Sequence, residues 1–80
     1  MKEYEINYIK GYLESALKHD YIKVSFIVDT LYVKYKWAFI NIEHEFDYQF
    51  IKNNDIIQIS RICRKRINEK VLNIINKEEY

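Results

Sequence analysis

The chain has 80 residues, a net charge of +1 and a single cysteine, with 49% apolar and 16% aromatic residues. These values exclude a second sizeable domain, an intrachain disulfide and a disordered polyelectrolyte. They point to one globular domain over residues 1–80. A domain of this size buries only about 60% of its unfolded surface, so association with something else would help it.

The opening stretch, "MKEYEINYIKGYLESALKHD", is too charged for a signal peptide, and no apolar run approaches the roughly 18 residues of a membrane span. One cysteine, Cys63, suits a reducing compartment. The reading is a cytoplasmic protein without membrane contact. Ile, Lys, Tyr and Asn make up nearly half the chain, and glycine and proline are almost absent. Such AT-rich codon usage suggests a low-GC bacterium, its phage or a plasmid.

Residues 3–19 read as a helix. Ile6, Ile9, Leu13, Ala16 and Leu17 recur at helical spacing, and Lys18 and His19 suit the negative end of the helix dipole. Residues 21–28 alternate as a strand, with Ile22, Val24, Phe26 and Val28 inward. Asp29-Thr30 is expected to turn the chain, placing Val28 opposite Leu31 and Lys23 opposite Lys36. A second strand follows, with Leu31, Val33, Tyr35 and Trp37 inward. Its alternation slips by one residue at Ala38–Ile40, which reads as a β-bulge. Glu43, Glu45 and Asp47 form an expected acidic turn around His44. Phe46, Tyr48 and Phe50 suggest a third strand, although residues 43–53 also fit a short helix. Asp55 and Gln58 have capping-box spacing, and a long helix is predicted to about Lys77 along Ile56, Ile59, Cys63, Ile67, Val71 and Ile74. The predicted fold is α+β, in the order α-β-β-β-α. A three-stranded antiparallel meander carries both helices on one face.

Two surfaces compete for function. The segment "RICRKRINEK" contains Arg61, Arg64, Lys65 and Arg66. At 100° per residue these cations spread around the helix, with Arg64 and Arg66 on opposite flanks of the apolar stripe. Phosphate binding needs cations gathered on one surface, so the spread favours a solvated helix whose stems cover apolar edges. The other surface is the column Tyr4, Tyr8 and Tyr12, accompanied by Gly11 and Ser15. A mid-helix glycine costs about 1 kcal/mol, and tyrosine with small polar residues is the chemistry of adaptable binding faces. This column reads either as an interface or as cover for the sheet edge or the second helix.

Lys23, Lys34 and Lys36 share the outer face of the sheet with Tyr21 and Tyr32, a pattern that can stack bases and hold phosphates. The predicted element order is also that of double-stranded-RNA-binding domains. The resemblance stops at the order: the second helix opens with "NNDIIQIS", which has no cation, and the chain has no proline for a Gly-Pro loop.

No catalytic, metal or cofactor motif is present. In a strand His44 points away from Glu43 and Glu45, and a small ribonuclease pairing it with Arg61 or Arg64 is the weakest reading. Cys63 falls on the apolar stripe. The expectation is a non-catalytic protein-binding module, an inhibitor from a phage or mobile element or a homodimer. It would use no cofactor and no small-molecule substrate. The alternative is a nucleic-acid-binding or regulatory domain that uses the basic helix.

Overall fold

The computed structural model describes residues 1–78. A helix α1 (Glu3–Ala16) leads into three strands, β1 (Tyr21–Ile27), β2 (Thr30–Trp37) and β3 (Ile40–Phe46). A short helix α2 (Tyr48–Asn53) and a long helix α3 (Ile56–Glu78) follow. The strands form one antiparallel sheet in the order β1-β2-β3, and α1 and α3 pack together on one of its faces. The predicted meander with helices on one side is therefore the observed architecture. Among the described residues, no helix is long and apolar enough to cross a membrane.

Helix α1 starts where the Glu5 carboxylate accepts the Lys2 backbone N–H at 2.9 Å, satisfying one free donor of the first turn. It ends at Ala16, earlier than the sequence suggested. Lys18 and His19 thus lie beyond the helix, and the His19 ring Nδ1 sits 2.9 Å from the Leu17 carbonyl. The buried Tyr35 donates its hydroxyl hydrogen to the Lys18 carbonyl. Asp20 donates its N–H to the Lys36 carbonyl at 2.8 Å and fastens this loop to the sheet.

Two-residue turns join the strands. Val28-Asp29 is the first, with Ile27 opposite Thr30; Ala38-Phe39 is the second, with Trp37 opposite Ile40. Val28 (φ 60°) and Ala38 (φ 54°) take the left-handed dihedral at the first turn position. This replaces the expected Asp29-Thr30 turn, and Lys23 faces Lys34 in place of Lys36. It also replaces the bulge. A two-residue turn puts residues 37 and 40 on the same face, so it shifts the alternation by one residue, as a bulge does. The third strand accordingly runs from Ile40, and Glu43-His44-Glu45 is its middle and not an acidic turn. Phe46 ends this strand and Phe50 lies on α2, where the two rings stack at 4.6 Å. Asp47 caps α2 by accepting the Phe50 N–H at 2.9 Å.

Asp55 caps α3 by accepting the Gln58 N–H at 2.8 Å. The face of α3 made by Ile59, Ser60, Cys63, Ile67 and Val71 is buried against Ile9 and Leu13 of α1 and the inner sheet residues Leu31, Val33, Tyr35, Ile40, Ile42 and Phe46. Ser60 is a polar residue in this core, satisfied by donating to the Ile56 carbonyl at 2.8 Å. Truncating a core residue such as Leu13 or Leu31 to alanine would cost about 2–5 kcal/mol, a large share of what so small a domain has.

Candidate functional site

The three-stranded sheet separates two surfaces. On its helix-free side the residues form rows across the strands: Tyr21, Lys36 and Asn41; Lys23, Lys34 and Glu43; Ser25, Tyr32 and Glu45. The lysines are exposed as expected, but Glu43 and Glu45 share their face. Lys34 stands opposite Glu43, so the positive potential expected there is largely offset. A shallow hollow lined by Tyr21, Lys34, Lys36, Asn41 and Glu43 carries both signs of charge.

On the helical side, the tyrosine column and the basic helix are brought together. Tyr12 of α1 and Arg61, Arg64 and Lys65 of α3 line one groove of about 410 Å³, with Ala16, Leu17, Ile62 and Asn68 completing it. Tyr4 (68% exposed) and Tyr8 (45%) continue the column along α1, while Tyr12 is half-buried. Gly11 and Ser15 are exposed beside them. A methyl group at Gly11 would meet no atom of the described residues within 4 Å. No other segment of the described chain therefore requires the glycine.

Arg66 leaves this group. It turns to the opposite flank of α3, where its guanidinium carbon lies 5.3 Å from the Phe46 ring centroid and 5.5 Å from that of Phe50. His44 lies there too, pointing away from Glu43 and Glu45 as strand alternation requires. Its Nδ1 is 2.8 Å from Lys70 Nζ and its Nε2 is 3.3 Å from Arg66 Nη1. Burial, then Lys70, then Arg66 hold the imidazole pKa below its ordinary value. The structure thus brings neither Arg61 nor Arg64 to His44. Lys70 reaches His44 with no signal in the sequence beyond its spacing of four from Arg66, which places both on one side of α3.

The Cys63 thiol is buried in the core, and burial pushes its pKa up to about 12. A thiol held protonated in this way is a poor nucleophile. Among the described residues, no three His, Cys, Asp or Glu side chains are grouped to hold a metal ion.

No protein-family description, curated protein or solved structure matches this chain. The functional reading therefore rests on the surfaces themselves.

Proposed function

We propose that this chain is a non-catalytic protein-binding module that occupies an acidic surface of its partner through the outer face of the α1–α3 layer. The supporting observation is the shared groove of Tyr12, Arg61, Arg64 and Lys65. Tyrosine and arginine are the residues that most often dominate binding energy at protein interfaces. The groove has three cations and no carboxylate in its lining, so the complementary partner surface is acidic. Charge of this kind steers encounter and fixes register. A module that acts by occlusion fits an inhibitor carried by a phage or mobile element of a low-GC bacterium.

A nucleic-acid ligand is the less favoured partner. The sheet lysines are interleaved with Glu43 and Glu45, and Arg66 faces away from the groove. Each arrangement reduces the number of phosphates that one surface could neutralise.

The test compares wild type with Tyr8→Ala/Tyr12→Ala and Arg61→Gln/Lys65→Gln, first checked for unchanged melting. Affinity capture from native extract should retain a protein that both double variants lose. Anisotropy titrations with DNA and RNA at about 50 and 200 mM salt form the second arm. Retention of the protein by both variants would overturn the reading. So would tight nucleic-acid binding that falls about 10³-fold between the two salts.

A further inference from the structure

The groove beside Arg61 does not end at Asn68. Ala16, Leu17 and Asn68 line it and also line a second hollow of about 310 Å³ further along α3. The two are one trough. Its α3 wall is the series Arg61, Lys65, Asn68, Leu72 and Ile75, with spacings of four, three, four and three. That is the 3.5-residue period of a helix–helix seam. It runs beside the buried stripe of Ile59, Cys63, Ile67 and Val71, as a second face of the same helix.

The trough changes character along its length. One end carries Arg61, Arg64 and Lys65. The other end is apolar: Leu72 is 50% exposed and shares the second hollow with the half-buried Leu17, Trp37 and Ile75. Lone exposed apolar side chains are ordinary, but a cluster bordered by charge marks an interaction surface. Lys18, with its Nζ 6.0 Å from the Trp37 ring centroid, adds a cation at this end. Among the described residues, neither hollow has a carboxylate in its lining. Unequal helix lengths open the trough. α1 stops at Ala16, beside Asn68, whereas α3 continues to Glu78, so its last turns extend past the end of α1.

We infer that this trough receives one amphipathic helix of the partner. Its carboxylates meet Arg61, Arg64 and Lys65, and its leucine-type side chains meet Leu72 and Ile75. This rests on the docking face proposed above and gives the partner a form. Arg61 and Ile75 are fourteen residues apart, about 21 Å of helix, so a helix of about four turns matches the trough. An extended peptide would need an open strand edge to pair its backbone. The walls here are two helices and β2, which is paired on both sides. A helix brings its own backbone hydrogen bonds. Contact at Leu72 supplies affinity, and the cations fix which way the partner helix lies.

The probe is a labelled synthetic helix of about 16 residues. Glutamates occupy its N-terminal end, where they suit the helix dipole, and leucines at 3.5-residue spacing occupy its C-terminal end. A second peptide of the same composition has the two residue types intermixed. Anisotropy titrations with the full chain should show saturable binding of the first peptide, about tenfold or more tighter than the second. Leu72→Gln, checked for unchanged melting, should weaken it about tenfold, the order expected for one buried leucine contact. Arg61→Gln/Lys65→Gln should weaken it and remove most of its salt dependence. Absence of saturable binding, equal binding of the two peptides, or unchanged affinity in Leu72→Gln would overturn the inference. Capture of a partner protein separates this failure from that of the docking face. A partner lost by Arg61→Gln/Lys65→Gln but kept by Leu72→Gln means that the face takes a folded acidic surface, and only the helix is refuted. A partner kept by both variants refutes the docking face as well.

Discussion

The Asp20 carboxylate accepts the backbone N–H of Ala38 at 2.8 Å and so ties the α1–β1 loop to the β2–β3 turn. Ala38 needs this support because it holds a left-handed dihedral without being glycine. Asp20→Ala should lower stability by about 1 kcal/mol, near the centre of the range for a single hydrogen bond. Asp20→Asn, which keeps an acceptor, should lose less. Urea denaturation with unchanged m-value would measure both.

Among the described residues no side chain supports the first turn in this way, and it carries a worse residue. Val28 is β-branched, 90% exposed and left-handed, a combination that stores about 1–3 kcal/mol of backbone strain. Glycine removes that strain but loses more entropy on folding. Val28→Gly should still stabilise the domain by about 1 kcal/mol, and Ala38→Gly by less. A lower denaturation midpoint for Val28→Gly would contradict the strained-turn account.

Gly11 gives a second stabilising change with a different meaning. Its position has room for a methyl group, so Gly11→Ala should raise stability by about 1 kcal/mol through helix propensity alone. If a partner approaches this part of the tyrosine face closely, the same variant binds less well while melting higher. Parallel melting and capture measurements separate the two effects.

His44 makes stability depend on pH in a defined direction. Its folded pKa lies below the unfolded value, so the folded state binds protons less readily than the unfolded one. The contribution is complete above about pH 6.5, the ordinary histidine value, and is lost as pH falls through the lower folded pKa. His44→Gln should flatten the stability profile in this window. A profile that is unchanged by the substitution would show that the imidazole is not the titrating group.

Cys63 reports on opening of the core. Its thiol is buried and its pKa is about 12, so alkylation in the native state should follow unfolding equilibria and not surface chemistry. The labelling rate should rise in step with denaturant. Fast labelling without denaturant would place Cys63 outside the core.

Much of this architecture is legible from periodicity alone. Ile22 and Val24, then Leu31, Val33 and Tyr35, then Ile59, Cys63, Ile67 and Val71 all lie on the buried faces that their spacing implies. The turns were harder to read. Neither Val28-Asp29 nor Ala38-Phe39 contains the Asn-Gly or Asp-Gly signal of a tight hairpin, and their dihedrals are imposed by strand pairing. Placing the first turn one residue late changed each cross-strand partner by two positions. It therefore left the faces correct while misplacing the partner of Lys23. Three carboxylates in five positions suit an acidic turn, but the spacing of Glu43 and Glu45 suits the outer face of β3 equally well, and Asp47 lies beyond the strand as the cap of α2. For the candidate site, helical angles did separate Arg64 from Arg66. They could not show that Tyr12 borders the basic groove, because the relative rotation of α1 and α3 is set by packing.

The sheet ends in two strands that each have one open edge, β1 and β3. Open edges invite intermolecular strand pairing, and charged side chains guard against it. Here the guards have opposite signs: Lys23 on β1, Glu43 and Glu45 on β3. A symmetric pair joined β1 to β1, or β3 to β3, would bring like charges together. A β1-to-β3 junction would bring opposite charges together, and such a head-to-tail contact leaves a free edge at each end for the next molecule. Self-association through the sheet would therefore build open-ended chains and not closed dimers, and it would be strongest at low salt.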